Sequence, residues 1–464
     1  KDEVSFSEIR IQDGVLTYEE AKHARQKLDD IDLSLAWPSI SRSFAATGQF
    51  NWHGERVSGS IGFSDFLAAL SGDRSGLKAR LSSDLLKLAF DGTVTNRSSV
   101  MMEGTLAVDS PSLRSAMEWT GQAAPPGGGF GRFALKARAN MVGASVALTN
   151  VNVELDGNVA EGVMTYSDNG RQTLQATLAA DALDFTPYIS TFRLLARGAH
   201  DWNRQLFDLN ALSATDLDMR LSAARVAIGS STLGRTAFGA NLRGGRLALS
   251  VGEAQVYGGM AKGSFTVARA GANADVKSDF QFTNVDLHTC ASELFGFNSL
   301  SGRGNLDVSL AASGSSPFGL AQSLDGSARL TGHDGAIAGF DVKRLLMRLE
   351  RRPLSGGSFR SGLTPYNKLL VSVKFSHGIA TADDIRIESP TTRVTLTGTA
   401  SVPGRQYDLK GVASLISSKG GASEFDLPFI VQGPWDDPLI FPDPDSLIRR
   451  APAAASLLEA VKDH

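Results

Sequence analysis

The chain has 464 residues, with 46 Lys and Arg against 49 Asp and Glu and a formal net charge of −3. Because charges of both signs are interspersed, the sequence has no basic stripe of the kind that nucleic-acid binding needs, and nucleic acid is not an expected partner. A hydrophobic fraction of 42% excludes a disordered polymer, and 48 glycines without a G-X-Y period exclude collagen.

Apolar and polar residues alternate along most of the chain, from VSFSEIRI near the start to GRLALSV, SDFQFT and LVSVKF further on. A period of two predicts strands that have one apolar and one polar face. Gly, Asn or Asp separates many of these segments, as in FDGTVTNRSSVMMEGTL, which predicts hairpins. The sequence therefore predicts a mainly β fold, with a long, twisted, largely antiparallel sheet of repeated hairpin modules.

Each module has a strand with an internal glycine, at Gly104, Gly162, Gly263 or Gly398. Three modules end in segments that predict short helical inserts, and the first of these segments offers Ser110 as an N-cap before Pro111. The irregular spacing excludes a strict solenoid.

One longer helix is predicted at 341–352, where Val342, Leu345, Leu346 and Leu349 have helical spacing. Its opposite side is basic, so it either covers a sheet face or lies on a membrane surface. The break in alternation at 193–208 predicts a division into N-terminal β-groove modules at 1–200 and C-terminal modules at 201–440, with a helical tail at 441–464.

Catalytic and metal-binding patterns are missing from the sequence. The single Cys290 excludes an intramolecular disulfide, and the seven His residues have no zinc-site spacing. No nucleophile elbow or phosphate loop occurs, and adjacent Asp residues on a strand point to opposite faces. We therefore predict no catalytic residue, no metal, no cofactor and no enzymatic activity. A carbohydrate-active β-helix enzyme is the remaining enzymatic alternative, and it would need a convergent carboxylate site and a regular coil length.

A long sheet with one apolar face must cover that face. The face either becomes a closed core, as in a sandwich, or stays open as a groove that needs an apolar ligand. The alternation leaves both possibilities open. The candidate lining residues are Leu247, Leu249, Val251, Phe265, Val267, Phe280, Phe282, Leu306, Val308, Leu310, Val371, Val373, Phe375, Val394 and Leu396.

Several segments resemble, in their order, the AsmA-like proteins of Gram-negative envelopes. The most specific are GGRLALSVGEAQVYGGMAKGSF, SLDGSARLTGHDGAIAGFDVKRLL, LTPYNKLLVSVKFSHGIATADDIRIESP and LPFIVQGPWDDPLIFPDPDSLIRRA. The resemblance extends over nearly the whole chain. It implies a repeating β-groove body, as in TamB-like proteins, and it favours a sheet that curls into an apolar groove over a closed core.

The resemblance also implies a function. We expect a non-enzymatic, periplasmic lipid conduit that supports phospholipid transport and outer-membrane biogenesis. Its expected partners are a phospholipid or other acyl-chain lipid, the inner membrane through an anchoring segment upstream of Lys1, and an outer-membrane component. The alternative is an assembly factor for outer-membrane or secreted proteins, whose sheet edge would pair with a client strand.

Overall fold

The computed structural model describes residues 6–18, 26–37, 43–97, 99–122, 124, 127–189, 201–209, 215–229, 231–295, 298–339, 341–351, 362–417, 423–435 and 437–443. The predicted tail at 441–464 therefore lies outside the described residues from 444 onward. Within the described part, every helix is too short or too polar to cross a bilayer.

Strands contain most of the described residues, and all 25 belong to one, mostly antiparallel sheet. They are β1 (Phe6–Tyr18), β2 (Gln26–Trp37), β3 (Phe44–Trp52), β4 (Glu55–Phe63), β5 (Ser75–Ser82), β6 (Lys87–Asn96), β7 (Val100–Ser110), β8 (Phe133–Val142), β9 (Ser145–Leu155), β10 (Asn158–Asp168), β11 (Gln172–Asp184), β12 (Asp216–Ile228), β13 (Ser231–Leu233), β14 (Thr236–Arg243), β15 (Arg246–Val256), β16 (Gly259–Ala270), β17 (Asn273–Asp286), β18 (Leu300–Gly314), β19 (Asp325–Ala338), β20 (Leu363–Ser376), β21 (Ile379–Glu388), β22 (Thr392–Ser401), β23 (Gln406–Ile416), β24 (Ser423–Pro434) and β25 (Leu439–Pro442). The helices are α1 (Phe66–Ser71), α2 (Leu113–Trp119), α3 (Thr186–Ile189), α4 (Leu287–Phe295), α5 (Pro317–Gln322) and α6 (Val342–Arg351). The predicted mainly β, largely antiparallel fold with short helices is confirmed.

The chain divides into two compact units. The first unit comprises Lys1–Thr191, Asp208–Gly229 and Ala237–Gly245. The second unit comprises Phe192–Phe207, Ser230–Thr236 and Arg246–His464.

In the first unit, β1 to β11 pair in sequence order, each antiparallel to the next. Strands β11 and β12, in contrast, are parallel. Their pairing runs from Thr173 opposite Asp216 to Asp184 opposite Ala227. The core of this unit is a cluster of buried strand residues, namely Leu77, Phe90, Leu106, Ala137, Ala139, Leu148 and Val151.

The predicted cap of the first short helix is wrong by two residues. Helix α2 begins at Leu113, and its N-cap is Ser112, whose side-chain oxygen accepts a hydrogen bond from the Ser115 amide at 3.2 Å. Ser110 is instead the last residue of β7, pairs with Phe133 and donates from its buried hydroxyl to the Leu85 carbonyl at 2.7 Å. The strand ladder thus extends through the residue that the sequence pattern assigned to the helix.

Glycines in the middle of strands have a steric reason. Gly104 of β7 lies directly opposite Gly92 of β6, and a Cβ atom on either one would overlap the backbone of the other strand. In the second unit, a Cβ on Gly263 would overlap the carbonyl oxygen of Asp279 on the next strand. Neighbouring backbones therefore occupy the space that a side chain would need at these points.

In the second unit, β15 to β25 also pair in sequence order, each antiparallel to the next. Its main core combines strand residues with residues of α4 and α6. The predicted helix at 341–352 is confirmed as α6. Asp341 caps it by accepting a hydrogen bond from the Arg344 amide at 2.9 Å.

Candidate functional site

Strand pairing in the second unit brings the predicted lining residues to one face of the sheet. Phe280 of β17 lies opposite Val308 of β18. Val308 lies opposite Ala328 of β19, and Ala328 lies opposite Val373 of β20. Because directly opposed residues project from the same face, these side chains form one row across the strands.

A second row runs beside the first. It passes from Phe282 to Leu306, and then to Leu330, Val371, Ile385 and Leu396 on successive strands. Further rows contain the pairs of Leu247 with Val267 and Leu249 with Phe265. The same face therefore carries Leu247, Leu249, Val251, Phe265, Val267, Phe280, Phe282, Leu306, Val308, Leu310, Val371, Val373, Phe375, Val394 and Leu396.

The opposite face of these strands is polar. Lys374 forms an ion pair with Asp383 at 2.7 Å, and Arg386 forms one with Asp384 at 2.7 Å. A depression of about 420 Å³ lies among exposed side chains such as Lys262 and Asp307. The alternation that predicted one wet face and one apolar face thus holds in this unit.

The apolar face is only partly covered. Leu306 and Val394 are buried, with 7% and 3% of their surface exposed, whereas Leu249 is 38% exposed. The other predicted lining residues are half-buried. A closed core would bury most of these side chains almost completely, so part of the face is accessible from outside the sheet.

Helices cover one margin of this face. Leu287 and Cys290 of α4, and Val342 and Leu346 of α6, join one buried cluster with strand residues such as Leu369. Helix α4 contacts β17 and β18, whereas α6 contacts β20, β23 and β24.

Helix α5 and the segment 201–207 cover the other margin. Trp202 donates from Nε1 to the Val402 carbonyl at 2.9 Å and packs beside Ala321 of α5. The Phe207 and Phe318 amides bond this segment to α5 and its flank, at 2.9 and 3.0 Å. Phe375 lies partly under this cover.

Beside the first cover lies a set of half-buried side chains that we call the central strip, consisting of Phe280, Val308, Leu330, Val371 and Leu396. All of them except Phe280 pack against the edge of the first buried cluster. On β20, Leu369 belongs to the first cover and Phe375 to the second. Five residues separate them, and the two positions lie about 20 Å apart along the strand. The strip crosses the strands on the inner side of the first cover. Leu330 was not predicted, although the alternation in SARLTG carries the same signal.

The polar side chains offer no second type of site in the described residues. No group of three or more His, Cys, Asp or Glu side chains there could hold a metal ion. Burial, together with the nearby carboxylates of Asp286 and Glu293, raises the pKa of the Cys290 thiol to about 11. A thiol of this kind stays protonated at neutral pH, which suits its place in the core.

A comparison with protein families finds that the model of the AsmA family matches residues 195–385. This region is AsmA-like. The AsmA-like region contains β12 to β20 and the first part of β21. It includes most of the predicted lining, whereas Val394 and Leu396 lie beyond it. This similarity is consistent with a role in envelope lipid transport or biogenesis. No curated protein and no solved structure matches the chain.

Proposed function

We propose that the protein is a non-enzymatic, periplasmic conduit that binds lipid acyl chains on the apolar face of its second unit. The observation that carries this proposal is the central strip, an apolar surface that is continuous across strands and only half-buried. The AsmA-like region supports the envelope setting. Attachment to the inner membrane and phospholipid transport to the outer membrane are parts of the same proposal.

The strip suits a ligand that moves. Covering apolar surface yields about 25 cal/mol per Å² wherever it occurs. Successive strands are about 4.8 Å apart, so an acyl chain that crosses them meets a similar apolar side chain at each step. Burial energy then changes little from one position to the next, and the lipid meets no deep trap. The polar head group stays outside the strip, because burying it without partners costs several kcal/mol.

The length of the strip also fits. From Phe280 on β17 to Leu396 on β22 the strip takes five steps across the sheet, or about 24 Å. That exceeds the ~15 Å that the acyl chains of one leaflet occupy in a hydrocarbon core about 30 Å thick. The strip therefore has room for the chains of a bilayer-forming lipid laid across the strands.

A photocrosslinking amino acid at Val371 tests this function. Val371 faces the strip, whereas its neighbour Ser372 faces the polar side opposite Asp384. In cells with labelled phospholipid, we expect a lipid adduct at position 371 and none at 372. Equal labelling at both positions, or none at either, would contradict the proposal. A polypeptide adduct without lipid would favour the assembly-factor alternative.

A further inference from the structure

Helix α6 buries two side chains of its apolar side and exposes basic side chains on another side. Val342 and Leu346 are 4% and 0% exposed and pack in the same cluster as Leu369 of the apolar face. Lys343 and Arg344, on the other side of the first turn, are exposed. The first turn of the helix therefore carries two exposed cations next to Val342, which packs at the margin of the apolar face.

The position of these cations is fixed by the first turn of α6. The Val342 amide donates to the buried Thr364 hydroxyl of β20 at 3.1 Å, which ties the start of the helix to the start of that strand. Apolar side chains lie exposed on both sides, with Leu363 at 59% and Met347 at 38%. The first turn thus places the two positive charges between exposed apolar side chains.

These two cations lack the partners that others have. On the polar face, Lys374 and Arg386 each contact a carboxylate. Among the residues that the structure describes, neither the Lys343 nor the Arg344 side chain has an ion pair or a hydrogen bond. Asp341 is the nearest carboxylate in sequence, and one of its oxygens is occupied by the Arg344 amide. The positive end of the helix dipole adds to the charge of the two side chains.

We propose that Lys343 and Arg344 bind the phosphate of a phospholipid whose acyl chains lie on the apolar face beside α6. This inference rests on the proposed function and assigns the residues that contact the phosphate of the lipid. The guanidinium of Arg344 can donate two parallel hydrogen bonds to a phosphate, and Lys343 adds a point charge. The lipid then meets both of its chemical requirements at one margin, with apolar surface for its chains and cations for its head group.

The test compares two lipids with the same acyl chains, phosphatidylglycerol and diacylglycerol, presented in vesicles of an inert carrier lipid. The variant is Lys343→Gln with Arg344→Gln. The matched control removes two exposed cations of the opposite face, Lys262→Gln with Lys410→Gln. Lipid that remains bound to the reisolated protein is quantified by mass spectrometry.

We expect the α6 variant to retain about tenfold less phosphatidylglycerol than the wild type, as for the loss of charge-assisted contacts. Diacylglycerol retention should be unchanged, and the control should behave like the wild type with both lipids. High salt should reduce the advantage of the wild type, because screening weakens exposed ionic contacts.

Each other outcome overturns a different statement. Equal retention of phosphatidylglycerol by variant and wild type would make the basic side an ordinary solvated face. Loss of both lipids from the variant would mean that α6 shapes the acyl-chain surface rather than binding phosphate. Failure of the wild type to retain either lipid would contradict the proposed function itself. Binding of inorganic phosphate by the wild type as tightly as phosphatidylglycerol would exclude a lipid-specific site.

Discussion

The two units build their apolar clusters from the same strand pattern but cover them differently. The buried cluster of the first unit consists, among the described residues, of strand residues such as Phe90 and Leu106. The main cluster of the second unit also contains Leu287 of α4 and Leu346 of α6. The comparison teaches that alternation supplies an apolar face, while the inserted helices decide which part of it becomes core.

The sharpest test of this division compares two residues on one strand and one face. Leu369 is 5% exposed beneath the helices, and Val371 is half-buried in the central strip. We expect Leu369→Asp to lower the free energy of unfolding by about 3–5 kcal/mol, because it places an unpaired charge in the core. Val371→Asp should cost much less, since its carboxylate can reach solvent, yet it should abolish lipid crosslinking nearby. Urea unfolding measures the free energy of unfolding of both variants. Equal losses of stability in the two variants would mean that the strip is also core.

Removing helix contacts should affect the second unit more than the first. Leu346→Ala leaves a cavity under α6, for which we expect a loss of about 2–5 kcal/mol. Hydrogen exchange should accelerate in β20, β23 and β24, which α6 contacts, and remain slow in β6 and β7. Met347→Ala, at an exposed position, should change stability by less than about 0.5 kcal/mol. Equal acceleration in both units would show that they open together.

The second cover can be loosened without a cavity. Trp202→Phe keeps most of the ring but removes the hydrogen bond to the Val402 carbonyl. We expect a loss of about 0.5–1.5 kcal/mol, typical of one such bond. The same variant should raise solvent accessibility at Phe375, which an introduced photocrosslinker there would report. An unchanged melting temperature with unchanged accessibility would contradict a covering role for Trp202.

The smallest expected effect concerns pH and the core thiol. Because the pKa of Cys290 is raised to about 11 in the folded protein, the unfolded chain loses this proton at lower pH than the folded one does. Its contribution to stability is therefore complete below about pH 8.5 and declines as pH rises toward 11. We expect Cys290→Ala to flatten the stability profile between these limits. Rapid alkylation of native Cys290 at pH 8 would show that the thiol is accessible instead.

The alternation predicted the fold class and the face of the sheet to which each side chain points. It did not predict how deeply each side chain is buried. Leu306 and Val308 lie two residues apart on β18 and on the same face, yet the first is buried and the second is half-buried. A period of two tells only which side a residue faces. Which residues the helices cover depends on where α4 and α6 pack, and that is a long-range property. The parallel pair of β11 and β12 also carries no local signal.

The facing glycines of β6 and β7 have a consequence for how the strands find their alignment. Alternation alone permits β7 to slide by two residues, because every side chain would keep its face. Such a slide would set Phe90 or Val94 opposite Gly104, and their Cβ atoms would then meet the backbone that now faces Gly92. The facing pair of Gly92 and Gly104 thus fixes the register of the two strands. It selects one alignment among several that would keep the same residues on the apolar face.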